Sequence, residues 1–367
     1  MKKSSWQPFA LMFAGLLLFL MARSVQASDY SQDDVVSHGK YIATLAGCTS
    51  CHTPLKPEFQ NPQELSLEQI RTLAFDDLQA SDETRLLAGG RGFDLGPAGI
   101  VFSRNITPDE ETGIGTWTDD QIKVAMKTGI DHEGQLLFPV MPYHVYNGMA
   151  DEDVDAVIAY IHTVQPVKNE IPERTVSTEG LPTLSFESGI IAPDTSDLNA
   201  RGEYLVNHVM GCTDCHTPVD PSTGAPQLDK YLAGRQPYEG PWGIVYGGNI
   251  TPDEETGIGA WSDDEVKRAL LHGIAKDGRR LILMPWYAYT NLTPEDADAV
   301  VYYLKHGLQP VRNEIPKASL NEGFMVIAPS AQNEAADLSI SPVFLAVVSL
   351  LVVLFVSYVS YSRRQPN

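Results

Sequence analysis

All four cysteines of this 367-residue chain fall into two copies of one short pattern: residues 47–54 read GCTSCHTP and residues 211–218 read GCTDCHTP. Residues three apart share a face of a helical turn. Cys48 with Cys51, and Cys212 with Cys215, can therefore each form two thioethers to the vinyl groups of a single porphyrin. The residue that follows, His52 or His216, then lies beneath the ring and offers an imidazole nitrogen to the iron. Cys-x-x-Cys-His is the attachment signature of c-type haem, so the two copies imply two covalently bound haem c groups. A structural disulfide or a thioredoxin-like dithiol also uses Cys-x-x-Cys, but neither explains a histidine after both copies. A four-cysteine zinc site fits the count and breaks the symmetry of the copies.

Each iron needs a second axial ligand on its far face. Met141 in FPVMPY and Met284 in LILMPWY hold equivalent places, each followed by a proline. A thioether there stabilises ferrous iron and raises the potential relative to a second imidazole. A lone methionine in an apolar run reads as core filler; its duplication behind a haem motif reverses that reading. His144 and His208 compete for the role, but neither has a histidine at the aligned place in the other copy. His38, His132, His162, His272 and His306 read as surface residues. The block NITPDEETGIG occurs without a change at Asn105–Gly115 and Asn249–Gly259. Its carboxylates lack the alternating oxygen spacing of a calcium loop, and it reads as a turn packed beside the haem edge. Trp117 and Trp261 follow it, either near a haem propionate or in simple core packing.

These landmarks recur in one order, which makes the chain a tandem duplication. Within a unit the elements read as helical. Residues 34–45 form a helix running into the cysteine pattern. Thr118 and Ser262, each followed by two aspartates, read as N-caps. Another helix starts near Ala150 or Thr293, with Val154, Val157, Ile158 and Ile161 on one face. The first copy carries an insertion of about twenty residues, roughly Glu58 to Asp82, in which LSLEQIRTLAFDDL reads as an amphipathic helix and a candidate docking element. The expected fold is all-α: a signal peptide at 1–27, a haem domain at 28–172, a linker at 173–196, a second haem domain at 197–318, a linker at 319–340 and one transmembrane helix at 341–362. The last rests on the uncharged run Val343–Tyr361, close to the length a bilayer demands. Arg363 and Arg364 behind it place the chain's end in the cytoplasm. Val25-Gln26-Ala27 fits a signal-peptidase site after an apolar run; Arg23 between the two leaves an uncleaved signal anchor as the alternative. The expected location is the bacterial cytoplasmic membrane, with the haem domains on its periplasmic side.

The net charge of −21 argues against nucleic acid and anionic lipid surfaces as partners. The motifs GCTSCHTP, NITPDEETGIGTW and FPVMPY together resemble the multihaem cytochrome c subunits of bacterial membrane-bound dehydrogenases acting on alcohols, aldehydes or gluconate. The resemblance runs from about Asp33 to Pro316. It implies two small all-helical cytochrome c folds with histidine and methionine ligands: Cys48, Cys51, His52 and Met141 for one haem, and Cys212, Cys215, His216 and Met284 for the other. It further implies that Gly39 and Gly202 let the first and last helices of each fold cross closely, beside Tyr160 and Tyr303. Many such subunits carry three haem motifs, whereas this chain has two. The function expected is electron transfer, without catalysis of its own, between a redox enzyme and the respiratory chain. Its partners are then a dehydrogenase catalytic subunit, other cytochromes or a terminal oxidase. The rival readings are a catalytic dihaem protein of peroxidase or sulfur-compound-oxidising type, and a haem-bearing sensor.

Overall fold

In a computed structural model of the chain, which describes residues 31–61, 64–222, 224–322 and 324, the helix entering the first cysteine pattern is α1 (Gln32–Leu45). Ser31 starts it: its side chain accepts from Asp34 N while the Asp34 carboxylate accepts from Ser31 N. Such a reciprocal cap satisfies two of the amide donors that a helix start leaves open. The pattern itself is one turn, α2 (Cys48–His52). The described chain divides into two units. One comprises the described residues up to Pro54 together with Asp82–Pro193 and Asn207–Gly211. The other comprises Leu55–Ser81, Asp194–Val206 and the described residues from Cys212 onward.

In the first unit, α1 crosses α6 (Asp151–Thr163). Val154, Val157, Ile158 and Ile161 are all buried. Gly39 is the reason the axes come so close, since a β-carbon there would lie 1.8 Å from the Ala156 carbonyl oxygen. Between these helices the chain runs through α4 (Asp119–Thr128), capped by Thr118, and α5 (Tyr143–Tyr146). The segment after Pro172 folds back onto its own unit. Thr175 N donates to Ile100 O at 3.0 Å, Asp151 N donates to Ile190 O at 3.0 Å, and Val176 is buried.

The second unit repeats the plan. The helix α7 (Leu198–Tyr204) crosses α11 (Pro294–Tyr302). Gly202 again supplies the close approach, with a β-carbon there meeting the Ala299 carbonyl oxygen at 2.1 Å. The second cysteine pattern is α8 (Cys212–His216), followed by α9 (Asp263–His272), capped by Ser262, and α10 (Trp286–Tyr289). The insertion helix, α3 (Leu67–Phe75), belongs to this second unit and packs there.

Two expectations need correction. The fold is not all-α: between α2 and α4 the chain forms an antiparallel hairpin, β1 (Gly92–Asp94) with β2 (Ile100–Phe102), in the register Phe93 opposite Val101. Its counterpart, β3 (Pro237–Gly240) and β4 (Gly243–Tyr246), gains a third strand, β5 (Ser319–Leu320). Strands of two to four residues are too short to leave an alternating pattern. The second correction concerns the membrane. Among the described residues no helix is long and apolar enough to cross one. The longest, α1, has 14 residues, against the ~20 that a span needs. The expected single-pass C-terminal span, and the membrane location built on it, are therefore not supported. The segment 341–362 and the expected signal peptide at 1–27 lie outside the described residues.

Candidate functional site

The short turn α2 puts Cys48, Cys51 and His52 together, and the loops around it fix the imidazole. His52 Nδ1 lies 2.7 Å from the Arg104 carbonyl oxygen. In the second unit His216 Nδ1 lies 2.7 Å from the Gly248 carbonyl oxygen. With the proton on Nδ1 and donated to that carbonyl, the lone pair is on Nε2, the tautomer a metal ligand requires. Desolvation pushes the pKa of both histidines down, against a smaller upward effect of the carbonyl, which favours the neutral ring.

Each acceptor carbonyl belongs to the residue just before the repeated block, which explains the block's identity in the two units. Asn105 donates from Nδ2 to Val167 O at 2.8 Å and to Thr112 Oγ1 at 3.0 Å. Its Oδ1 accepts from Thr107 N at 3.0 Å and from Thr107 Oγ1 at 2.8 Å. Asn249 makes the same four bonds with Val311, Thr256 and Thr251. The aspartate of the block is spent on its own turn, since Asp109 accepts from Thr112 N and Oγ1, and Asp253 accepts from Thr256 N and Oγ1. No group of three histidine, cysteine, aspartate or glutamate side chains that could hold a cation occurs among the described residues.

The sequence reading missed a second cradle, built from residues that repeat as well. The carbonyl of His52 accepts from Gly89 N, and that of His216 from Gly234 N, both at 2.6 Å. The loops presenting these amides turn at Leu87 and Leu232, which are fully buried and have φ of +61° and +56°. Leucine rarely adopts such a backbone. Thr53 and Thr217, in the CHTP of each motif, accept from the amides of Leu87 and Leu232 through their hydroxyls. Asn169 and Asn313 donate to the carbonyls of Ala88 and Ala233. The signal was present in the repetition of CHTP, LAG and NEIP. The carbonyl in the middle of each attachment turn is also held, but by unlike residues: Arg91 Nη1 donates to Ser50 O at 2.8 Å, and Tyr238 OH donates to Asp214 O at 3.0 Å.

None of the four cysteines is in a disulfide. Burial, reinforced by the neighbouring cysteine, pushes Cys48 and Cys212 up to about 12. A redox or nucleophilic thiol carries the opposite shift. Paired thiols on one turn with an Nδ1-anchored histidine beside them suit covalent haem.

Met141 and Met284 sit on matching loops. Each precedes the proline that caps a short helix, α5 or α10, and each accepts through its carbonyl an amide at 2.8 Å, from Tyr143 or Trp286. Both methionines are half-buried. Five residues on, Tyr146 OH donates to the carbonyl of Ala46, at the entrance to α2. Tyr289 is buried near Cys212 and Cys215, with desolvation first and then the two thiols raising its pKa. Through Tyr146 the Met141 loop is tied to the entrance of its attachment turn. Of the competing histidines, His144 is exposed, and His208 lies in the first unit with Nδ1 3.3 Å from Val145 O. His38, His132, His162, His272 and His306 are exposed, as expected. Trp117 stacks on His132 with ring centres 4.2 Å apart, and Trp261 accepts Lys305 Nζ through its carbonyl.

No protein-family model matches the chain. Individual proteins do. The fructose dehydrogenase cytochrome subunit of Gluconobacter japonicus is 31% identical over 74% of this chain and 52% of its own length. The gluconate 2-dehydrogenase cytochrome c subunit of Pantoea cypripedii is 28% identical over 79% of this chain and 63% of its own. A diheme cytochrome c-type protein of Cereibacter sphaeroides is 27% identical over 73% of this chain and 84% of its own. The chain thus spans about half to two thirds of the length of the dehydrogenase subunits it matches. With the haem-suited turns of both units in place, the expected resemblance holds: over most of its length this chain is similar to the cytochrome c subunits of fructose, gluconate and alcohol dehydrogenases.

Proposed function

We propose that this chain is a dihaem c-type cytochrome that relays electrons from the catalytic subunit of a dehydrogenase to a further redox partner. In this reading Cys48 and Cys51 bind one haem covalently, with His52 and Met141 as axial ligands. Cys212 and Cys215 bind the other, with His216 and Met284. The haems supply the one-electron couple. The chain's own residues do the rest. The carbonyls of Arg104 and Gly248 orient the imidazoles and raise their basicity through Nδ1. The repeated asparagine-centred loops keep that geometry rigid, so that little reorganisation accompanies a change of charge. Met141 and Met284, as thioether ligands, would close both irons to substrate, which fits a carrier rather than a catalyst.

The observation that carries this reading is the repetition of the same Nδ1-to-carbonyl bond beside both thiol pairs. The test is haem stoichiometry. Chain matured with haem is expected to hold two covalent haems, and Cys48→Ala with Cys51→Ala, or Cys212→Ala with Cys215→Ala, is expected to leave one. A wild-type value of one or none ends the dihaem reading. Purification with the haem absorbance followed through the column tests the partner: a co-eluting flavin-, quinoprotein- or molybdenum-type subunit identifies the donor, and reduction of the haem by that subunit's substrate follows.

A further inference from the structure

The insertion near the first cysteine pattern packs on the loop that bears Met284. The last turn of α3 presents two backbone carbonyls to it. Ala74 O accepts from Leu283 N at 2.8 Å, and Phe75 O accepts from the Trp286 indole Nε1 at 2.8 Å. These donors flank Met284 on either side. The Arg280 guanidinium lies 5.3 Å from the Phe75 ring centre and 5.9 Å from that of Trp286, so the aromatic rings and the cation form one cluster. Trp286 is seated from the other side against Gly273, where a β-carbon would come within 2.3 Å of the indole. Leu283, just before the methionine, has φ of +65°. A branched side chain holds that backbone only where its surroundings impose it, and the bond to Ala74 O is the restraint at that amide.

The first unit keeps the glycine seat, with Tyr143 against Gly129, but lacks, among the described residues, the bonds to a neighbouring helix. The residue equivalent to Trp286 is Tyr143, which has no indole N–H, and Val140, which precedes Met141, is not among the residues with positive φ. The corresponding restraint there comes from Arg174, whose Nη1 donates to Leu136 O at 2.8 Å, five residues ahead of the methionine. The two methionine loops are equivalent in sequence and unequal in support.

We infer that the Leu67–Phe75 helix is a clamp for the Met284 loop, holding this methionine on its iron and making the second haem the harder of the two to open to an exogenous ligand. Trp286 and Leu283 are positioning residues that act through Met284. The inference rests on Met284 being an axial ligand. A loop fixed on both sides of the thioether loses less entropy on ligation than a free one, so the bound methionine is favoured over solvent or an added base.

The excursion can be removed without opening a gap. Leu55 and Ser81 are bridged, and Lys56 N donates to Ala80 O at 2.8 Å, so residues 57–79 can be replaced by Gly-Gly in the full haem-loaded chain. Ferric protein is titrated with imidazole while the red absorption band of methionine-ligated haem is followed. Met284→Leu identifies the second haem's share of that band. In the excised chain this share is expected to vanish at roughly tenfold lower imidazole, equivalent to about 1.4 kcal/mol, with the Met141 share unmoved. Trp286→Phe, which keeps the ring and removes only the indole donor, is expected to move the second share the same way by less. The clamp is overturned if the second share titrates as in the wild type in both variants, or if both shares shift together. A Met284→Leu band identical to the wild type overturns the ligand assignment and the clamp with it, while a haem count of two still upholds the dihaem reading.

Discussion

Asn249 is almost fully buried and every polar atom of its amide is used. Asn249→Ala strips the acceptor from Thr251 N, inside the loop, and leaves Val311 O only the longer bond from the Thr251 hydroxyl at 3.3 Å. Leaving such groups unsatisfied costs about 1–3 kcal/mol. We expect a loss of about 2 kcal/mol for Asn249→Ala and for Asn105→Ala, read from urea unfolding of the haem-loaded protein. The His–iron geometry is expected to loosen as well, because each asparagine follows the carbonyl that holds the ligand imidazole. The aspartates of the same blocks give a pH prediction. The threonine hydroxyl, then the threonine amide, hold Asp109 and Asp253 below the ordinary carboxylate value of 3.8. A depressed folded-state pKa means that the stabilisation is complete above 3.8 and is lost as pH falls through the lower folded value. Replacing both by asparagine removes that contribution, so the variant's melting temperature is expected to vary less with pH below 3.8 than the wild type's.

At the scale of the elements, the paired helix crossings are built alike and charged differently. In the second unit Arg201 binds Asp296 through Nε at 2.7 Å and Nη2 at 2.9 Å, with both side chains buried. In the first unit the same place is filled by His38 and Asp153 at 2.6 Å, with His38 43% exposed. Removing one member of a buried pair strands the other charge, at about 3–5 kcal/mol, whereas a solvent-facing partner can be hydrated. Arg201 is therefore expected to make Asp296→Ala the costlier change and Asp153→Ala the milder one, and thermal melts of the two variants check the order. Gly39→Ala is expected to prevent folding of its unit, since no side-chain movement relieves contact with a backbone carbonyl at 1.8 Å. The helices and the attachment turns were legible in the sequence because capping residues, apolar spacing and Cys-x-x-Cys-His are local signals. The hairpins at Gly92–Phe102 and Pro237–Tyr246 were not. They exist to return the carbonyls of Arg104 and Gly248 to the histidines, and a carbonyl acceptor leaves no residue type to read. The cradle of Thr53, Leu87 and Asn169 escaped for a different reason: its members lie more than thirty residues apart and only the fold brings them together. The destination of the insertion helix was likewise invisible, because an amphipathic stripe names a buried face and not the unit that buries it.

At the scale of the whole chain the dominant property is charge: 26 basic against 47 acidic residues, for a net of −21. Such a field acts on encounter rates more than on fold. If the chain carries haem as proposed, this field would favour a donor or acceptor that presents a basic patch and would repel small anionic oxidants before they reach a haem edge. Screening over a Debye length of about 10 Å at 0.1 M salt should remove both effects. The oxidation of the reduced protein by an anionic metal complex is therefore expected to be slow at low ionic strength and to accelerate as salt is added. With a cationic complex of similar potential the order reverses, and stopped-flow traces at a series of salt concentrations measure both. If the two oxidants respond to salt in the same direction, the charge lies away from the haem edges, and recognition of the partner must rest on local surface chemistry and not on the field of the molecule.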